Sequence, residues 1–334
     1  MQSLGPLLKN LEHGATTIVQ ACLGVKPGEV IAILVDTPNT RVGEALSLAI
    51  KVAGGLPYLM VFSSRSAHGE DPPSEAASKL MTADAGILAT RYSLASSLAR
   101  RNATDAGVRI ISIPACSEEL FSSPAMKADF VTIRPLVERL GSLLMQTRHV
   151  HITTVAGTDL YVELCERPSI DQTGFALEPG TWSPFPNVET AVGPKDDGVE
   201  GLLVVDGVLI PGGIPDEPVR CTMERGRIVK ITGGSSAIQF EKQLDSFNDP
   251  NVRQVVELGF GLNPKAKIGR GLMAEDESQW GTVHLGIGEG GTFGISNNAS
   301  THMDLVIKEP TVIFDGQKVL ENGSYNLVGF DRVP

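Results

Sequence analysis

The sequence predicts an α/β plus α+β fold: a parallel sheet with flanking helices over residues 1–146, then a β-rich domain over residues 147–334 that would carry the chemistry. Three observations predict it. Short, continuous apolar runs alternate with stretches of helical periodicity as far as about residue 145, the pattern of parallel strands covered by helices. Beyond Gln146 the alternation gives way to Gly, Pro and β-branched residues in short segments, as in antiparallel sheets. The length of 334 residues is that of two domains rather than one.

The elements follow in order. Residues 7–23 carry apolar side chains at helical spacing, and Lys26-Pro27-Gly28-Glu29 makes a turn. Residues 30–35 form an unbroken apolar run, the mark of a strand buried on both faces. Residues 41–54 return to helical periodicity and stop on Gly54-Gly55. A strand over 57–62, a helix over 73–81, a strand over 85–89, a helix over 93–106 and a strand over 109–113 continue the alternation. In the second half, 149–155 and 160–163 are β segments joined by Gly157-Thr158-Asp159. Residues 200–214, 220–231 and 311–320 read as hairpins with Gly-containing turns. The helix expected here is 237–247, with 251–258 a further candidate.

Composition narrows the function. A hydrophobic fraction of 42% and a charged fraction of 20% are those of a globular protein with a sizeable core. The net charge of −11 argues against a protein that tracks nucleic-acid phosphates and suits one that holds cations. The four cysteines are dispersed with no CxxC pair, which argues against a thiolate zinc site and for a reducing compartment. No leader-like N-terminus and no run of about 20 apolar residues is present. We therefore expect a cytoplasmic protein with no membrane or nucleic-acid partner, acting on a small molecule or short peptide.

Six histidines are few for this length, so their placement carries information. His302-Met303-Asp304 sets an imidazole and a carboxylate two apart, on one face of a strand. His284 lies in the small-residue stretch Gly281-Thr282-Val283-His284-Leu285-Gly286, where backbone can approach closely. Glu257 sits among Val255, Val256, Leu258, Gly259 and Phe260, and Glu189 in an apolar segment bracketed by Pro186 and Pro194. A carboxylate so placed is costly to bury unless it is paired or bound to metal. Together, Glu189, Glu257, His284, His302 and Asp304 suffice for one or two divalent ions.

These segments resemble the metal-binding segments of the aminopeptidase T family of thermophilic metallo-aminopeptidases. The matching stretches are Phe185-Pro186-Asn187-Val188-Glu189 with Pro194, Glu257-Leu258-Gly259-Phe260-Gly261-Leu262-Asn263, Gly281-Thr282-Val283-His284-Leu285 and His302-Met303-Asp304, in the family's order. The resemblance implies a pair of divalent ions (Zn, Co or Mn) on Glu189, Glu257, His284, His302 and Asp304, and a homodimer. The chain departs from that family where a tyrosine is expected and Gly291 stands, and in a shorter interval between His284 and His302. The stretch from Phe247-Asn248-Asp249-Pro250 to Leu262-Asn263-Pro264 is also similar to the 2,5-dihydroxypyridine dioxygenases, iron enzymes whose metal set is two histidines and an aspartate. His302 and Asp304 match two of those, and the remaining histidine falls where this chain has Glu257.

The leading expectation is thus a metal-dependent hydrolase of an amide or peptide bond, with Glu189 or Glu257 shuttling the proton to the leaving nitrogen. The alternatives are a ring-cleaving Fe(II) dioxygenase on His284, His302 and Asp304, and a non-catalytic metal-binding protein. Three further features carry less. Gly286-x-Gly288-x-x-Gly291 matches a dinucleotide fingerprint by letter but lacks a first strand before it and a helix after it. His149 and His151 alternate on a strand and read as surface. Glu275-Asp276-Glu277 reads as a charged loop near enough to His284 to supply a spare ligand or base.

Overall fold

The computed structural model describes residues 10–332. The chain divides into two compact units, Met1–Val131 with Gln172–Asn187, and Thr132–Asp171 with Val188–Pro334. The first contains a five-stranded parallel sheet in the order Leu56–Phe62, Val30–Asp36, Ala85–Ala89, Arg109–Ile113 and Trp182–Pro184. Its two strands Ala85–Ala89 and Arg109–Ile113 are buried throughout, as their apolar runs require. Helices Thr40–Val52, Ser74–Met81 and Leu98–Asp105 connect the strands, the last capped by the Ser97 hydroxyl, which accepts from the Arg100 amide. The expected helix over 7–23 falls partly outside the described residues; within them it is Glu12–Thr16 running into a π-helical turn, Thr17–Cys22.

The second unit carries two sheets. The larger has eight antiparallel strands and includes the expected pairs His149–Thr153 with Asp159–Leu164, Val219–Glu224 with Arg227–Thr232, and Thr311–Phe314 with Gln317–Glu321. The smaller has six, in the order Val208–Ile210, His302–Ile307, Val283–Gly288, Val255–Gly261, Glu189–Val192 and Ile170–Gln172. The fold class read from the sequence therefore stands: a parallel sheet with helices, followed by a β-rich region. Among the described residues, no helix is long and apolar enough to cross a membrane.

Three expectations differ from the structure in detail. The helix candidate 251–258 is a 3-10 turn, Pro250–Arg253, followed by the strand Val255–Gly261, every residue of which is buried. Val255, Val256 and Phe260 favour a strand, Gly259 and Gly261 disfavour a helix, and partners on both edges decide it. The hairpin over 200–214 is a crossover. Pro194–Val205 lies in the eight-stranded sheet, whereas Val208–Ile210 pairs with Asp304 to Val306 in the other. Finally, the chain passes between units at 131, 171 and 187 rather than once at 146. Trp182–Pro184 extends the parallel sheet beside Arg109–Ile113, and local periodicity cannot show which sheet edge a distant strand will join.

Candidate metal centre

Four neighbouring strands of the six-stranded sheet each deliver a ligand-type side chain to one face. Period-two geometry puts His302 and Asp304 together on the first, and pairs them with Gly288 and Gly286 of the next. On that strand His284 stands opposite Gly259, while Glu257 stands opposite Gly286. Glu189, on the fourth strand, stands opposite Gly261. All five residues singled out in the sequence are thus brought to one place, and each has a glycine as a cross-strand partner.

The side chains converge closely. His284 Nε2 lies 3.3 Å from Glu257 Oε1 and 3.5 Å from Glu189 Oε2. His302 Nε2 lies 3.1 Å from Glu257 Oε2 and 3.3 Å from Asp304 Oδ1. Glu189, Glu257, His284 and Asp304 are buried, and His302 keeps about a third of its side chain exposed, 31%. Among the described residues, two three-donor groups have the spacing to hold an ion: Glu189, Glu257 and His284, and Glu257, His302 and Asp304. Glu257 belongs to both and turns one oxygen to each histidine. The two histidines fall in different groups, so the set His284, His302 and Asp304 expected for a single iron is not one of them.

The donors suit a divalent cation. Buried polar atoms are normally satisfied, yet Asp304 Oδ1 accepts no well-formed hydrogen bond and has only the 3.3 Å contact to His302 Nε2. His302 Nδ1 donates to the Glu289 carbonyl at 2.9 Å, which turns Nε2 towards the carboxylates. Imidazole nitrogen with carboxylate oxygen fits zinc, manganese, cobalt or ferrous ions.

Without a cation, protons balance the charge. Burial alone would lower the His284 pKa, but the Glu257 hydrogen bond and the charges of Glu189, Glu257 and Asp304 raise it to about 9. His302 is likewise opposed by burial and raised well above its usual value by Asp304 and Glu257. Burial works to raise the pKa of Glu257, and the two histidines outweigh it, lowering the pKa to about 2. Glu277 goes the other way: burial and the negative charges of Asp304, Glu189 and Glu257 hold its carboxyl well above the ordinary range.

These shifts set the stability of the metal-free protein. The raised histidines, and Glu277 with them, contribute fully below their unfolded values and lose that contribution as pH rises through the folded ones. For His284 the window runs from 6.5 to about 9. Glu257 contributes above 4.5 and loses its share as pH falls through about 2. Thermal melts of chelator-treated protein are expected to show a falling Tm between pH 6.5 and 9, and a bound ion should flatten the curve. A level Tm across that window without metal would contradict the proton-balanced centre.

Glu277 is the residue the sequence undervalued. Of the acidic loop, Glu275 accepts from the Lys267 amide and pairs with Arg270, and Asp276 accepts from the Gly269 amide. Glu277, directly after the short helix Met273–Asp276, instead feels the carboxylates of the centre. Helical spacing separates the roles of neighbouring residues, the one signal that could have found it. The remaining candidates lie elsewhere. His151 stacks on Tyr161 at 4.2 Å and bonds Asp159. The 286–291 glycines belong to an antiparallel strand and a 3-10 turn, so no dinucleotide crossover forms.

Comparison with known proteins fits this arrangement into a family. The family model for 2,5-dihydroxypyridine 5,6-dioxygenase matches residues 15–326. The 2,5-dihydroxypyridine 5,6-dioxygenase of Pseudomonas putida KT2440 is 27% identical over 193 residues, 54% of this chain. That match spans about half, 55%, of the curated relative's length. The solved structure of 2,5-dihydroxypyridine dioxygenase from the same strain superposes with a TM-score of 0.84 at 22% identity, covering 96% of this chain and 98% of that one. AmpT from Thermus thermophilus superposes with a TM-score of 0.67 at 15% identity, covering 96% and 99%. Both structures share the fold. The resemblance to the aminopeptidases is thereby one of architecture, and the dioxygenase alternative has the stronger support. With the family model spanning nearly its whole length, the chain belongs to the 2,5-dihydroxypyridine 5,6-dioxygenase family.

Proposed function

We propose that the protein is a divalent-metal-dependent dioxygenase that opens a hydroxylated nitrogen-heteroaromatic ring, with Glu257, His302 and Asp304 as the catalytic ligands. Family membership over residues 15–326 carries this reading. The three-donor group at the partly exposed His302 supports it, because a substrate can reach the group from that side. When bound, ferrous iron would supply open coordination positions for a chelating hydroxyl and for dioxygen. The residues of the chain do the rest. His302 is oriented through Nδ1 by the Glu289 carbonyl, and Phe293 stacks on its ring at 5.9 Å. Glu277, whose carboxyl is held above the ordinary range in the metal-free centre by burial and by the charges of Asp304, Glu189 and Glu257, is the candidate proton donor to the substrate.

A second reading, hydrolysis of an amide or peptide bond by a metal pair, is favoured by one specific observation. Glu257 is shared between two donor groups, and Glu189 with His284 completes the second. The two groups would hold one ion each, with Glu257 giving an oxygen to both, and a metal pair would supply an activated water for hydrolysis. His284→Ala separates the readings. A single-iron dioxygenase should keep one iron per chain in this variant and lose about 10- to 100-fold in rate, the usual cost of removing a group outside the ligand set. A two-metal hydrolase should drop from two ions to one and lose hydrolysis altogether. Elemental analysis would be paired with oxygen uptake on hydroxypyridines and assays on dipeptides. Two ions with dipeptide hydrolysis and no oxygen uptake would overturn the dioxygenase proposal; bound metal with no turnover of either panel would leave a binding protein.

A further inference from the structure

We infer that Gly259 and Gly286 are the positioning residues of the centre, each reserving space that ligand side chains occupy. This rests on the metal-binding reading of the site. The glycines opposite the ligands are not alike. A Cβ built on Gly259 would overlap Nε2 and Cε1 of the His284 ring, so the imidazole lies flat across bare backbone. A Cβ on Gly286 would come 2.6 Å from Glu257 Oε2, 2.7 Å from Glu257 Cβ and 2.9 Å from His302 Cε1. Gly261 and Gly288 differ. Their nearest obstacles are the backbone carbonyls of Gln279 and Thr301, and no ligand side chain is among their closest neighbours. Those two serve the chain's path, whereas Gly259 and Gly286 serve the ligands.

The consequences of adding a methyl group follow from burial. His284 is 1% exposed, so its ring cannot swing into solvent and must tilt away from Glu189 and Glu257. Gly259→Ala therefore disturbs the group Glu189, Glu257 and His284. At Gly286 the obstacle includes the root of the Glu257 side chain, which a rotamer change cannot clear. Gly286→Ala therefore displaces the shared carboxylate and with it both groups. Close packing makes the glycines as necessary to the donor spacing as the ligands themselves.

The test uses the full chain, stripped with chelator and titrated with manganese(II), with Gly316→Ala, in the turn between Thr311–Phe314 and Gln317–Glu321, as the control for a purely structural glycine. Gly286→Ala is expected to weaken manganese binding about 10- to 100-fold or more, on the scale of disturbing a ligand's support. Gly316→Ala, strained because that position has φ +89°, should lower Tm while leaving the number and affinity of bound ions at wild-type values. Gly259 is tested independently of metal through the ring it accommodates. Gly259→Ala should lower Tm in the wild-type background and have little effect in His284→Ala, where the obstructing ring is gone. Wild type that takes up no manganese would refute the metal reading and leave the Gly259–His284 coupling to judge the positioning role. Wild-type-like manganese binding in Gly286→Ala, or an equal Tm loss from Gly259→Ala in both backgrounds, would overturn the inference.

Discussion

Glu257→Ala is expected to empty the centre of metal under either chemistry. Its Oε1 faces His284 at 3.3 Å and its Oε2 faces His302 at 3.1 Å, so one substitution removes a donor from both groups. What remains is a pair of donors in each place, Glu189 with His284 and His302 with Asp304, too few to hold an ion against dialysis. The change also removes a negative charge and a hydrogen bond that help to hold the His284 proton, so the pKa of His284 moves down from about 9. Loss of turnover should be complete rather than partial, and elemental analysis of the dialysed variant should find no stoichiometric metal. Glu257→Gln keeps an oxygen donor but not the charge and should fall between. A variant that retained its metal and wild-type turnover would remove Glu257 from the site.

His302→Ala and Asp304→Ala are each expected to abolish metal-dependent activity while the protein stays folded. Both belong to the group that includes Glu257, and both leave it with two donors. The rate loss should exceed the roughly 100-fold that disturbing a residue behind the ligands causes. The fold should tolerate the changes, because His302–Ile307 is held by backbone pairing to Val283–Gly288 on one edge and Val208–Ile210 on the other. Asp304 also raises the pKa of Glu277 by repulsion, so its removal relieves strain among like charges in the metal-free state. Circular dichroism like that of wild type, with activity lost, is the expected pair of results. Full activity and normal metal content in both variants would exclude this strand from the chemistry.

The two variants of Glu257 and His284 together divide the chemistry. Glu257 lies in both donor groups and should be indispensable whatever the ion count. His284 lies in one and should be indispensable only if a second ion is required. The distinction depends on how the donors are grouped in space, and the five residue names alone do not contain it.

Much of this protein can be read from residues near one another in the chain. The alternation through residue 113 foretells the parallel sheet, because strand burial and helix periodicity are written within a few residues. His302 and Asp304 share a face because side chains alternate along any strand. Glu189, Glu257 and His284 could be named because charge or imidazole in an apolar, glycine-rich segment needs a partner. Tertiary structure alone decided the rest. Residues 255–261 became a strand because partners occupied both edges, and 208–210 changed sheets because its pairing residues lie at 304–306. It also brought Glu277 within the field of the centre's carboxylates, split the histidines between two groups that share Glu257, and placed Gly259 and Gly286 beneath His284 and Glu257. The physical reason is register: a local sequence specifies which side chains share a face, but pairing between distant strands specifies which of those side chains meet.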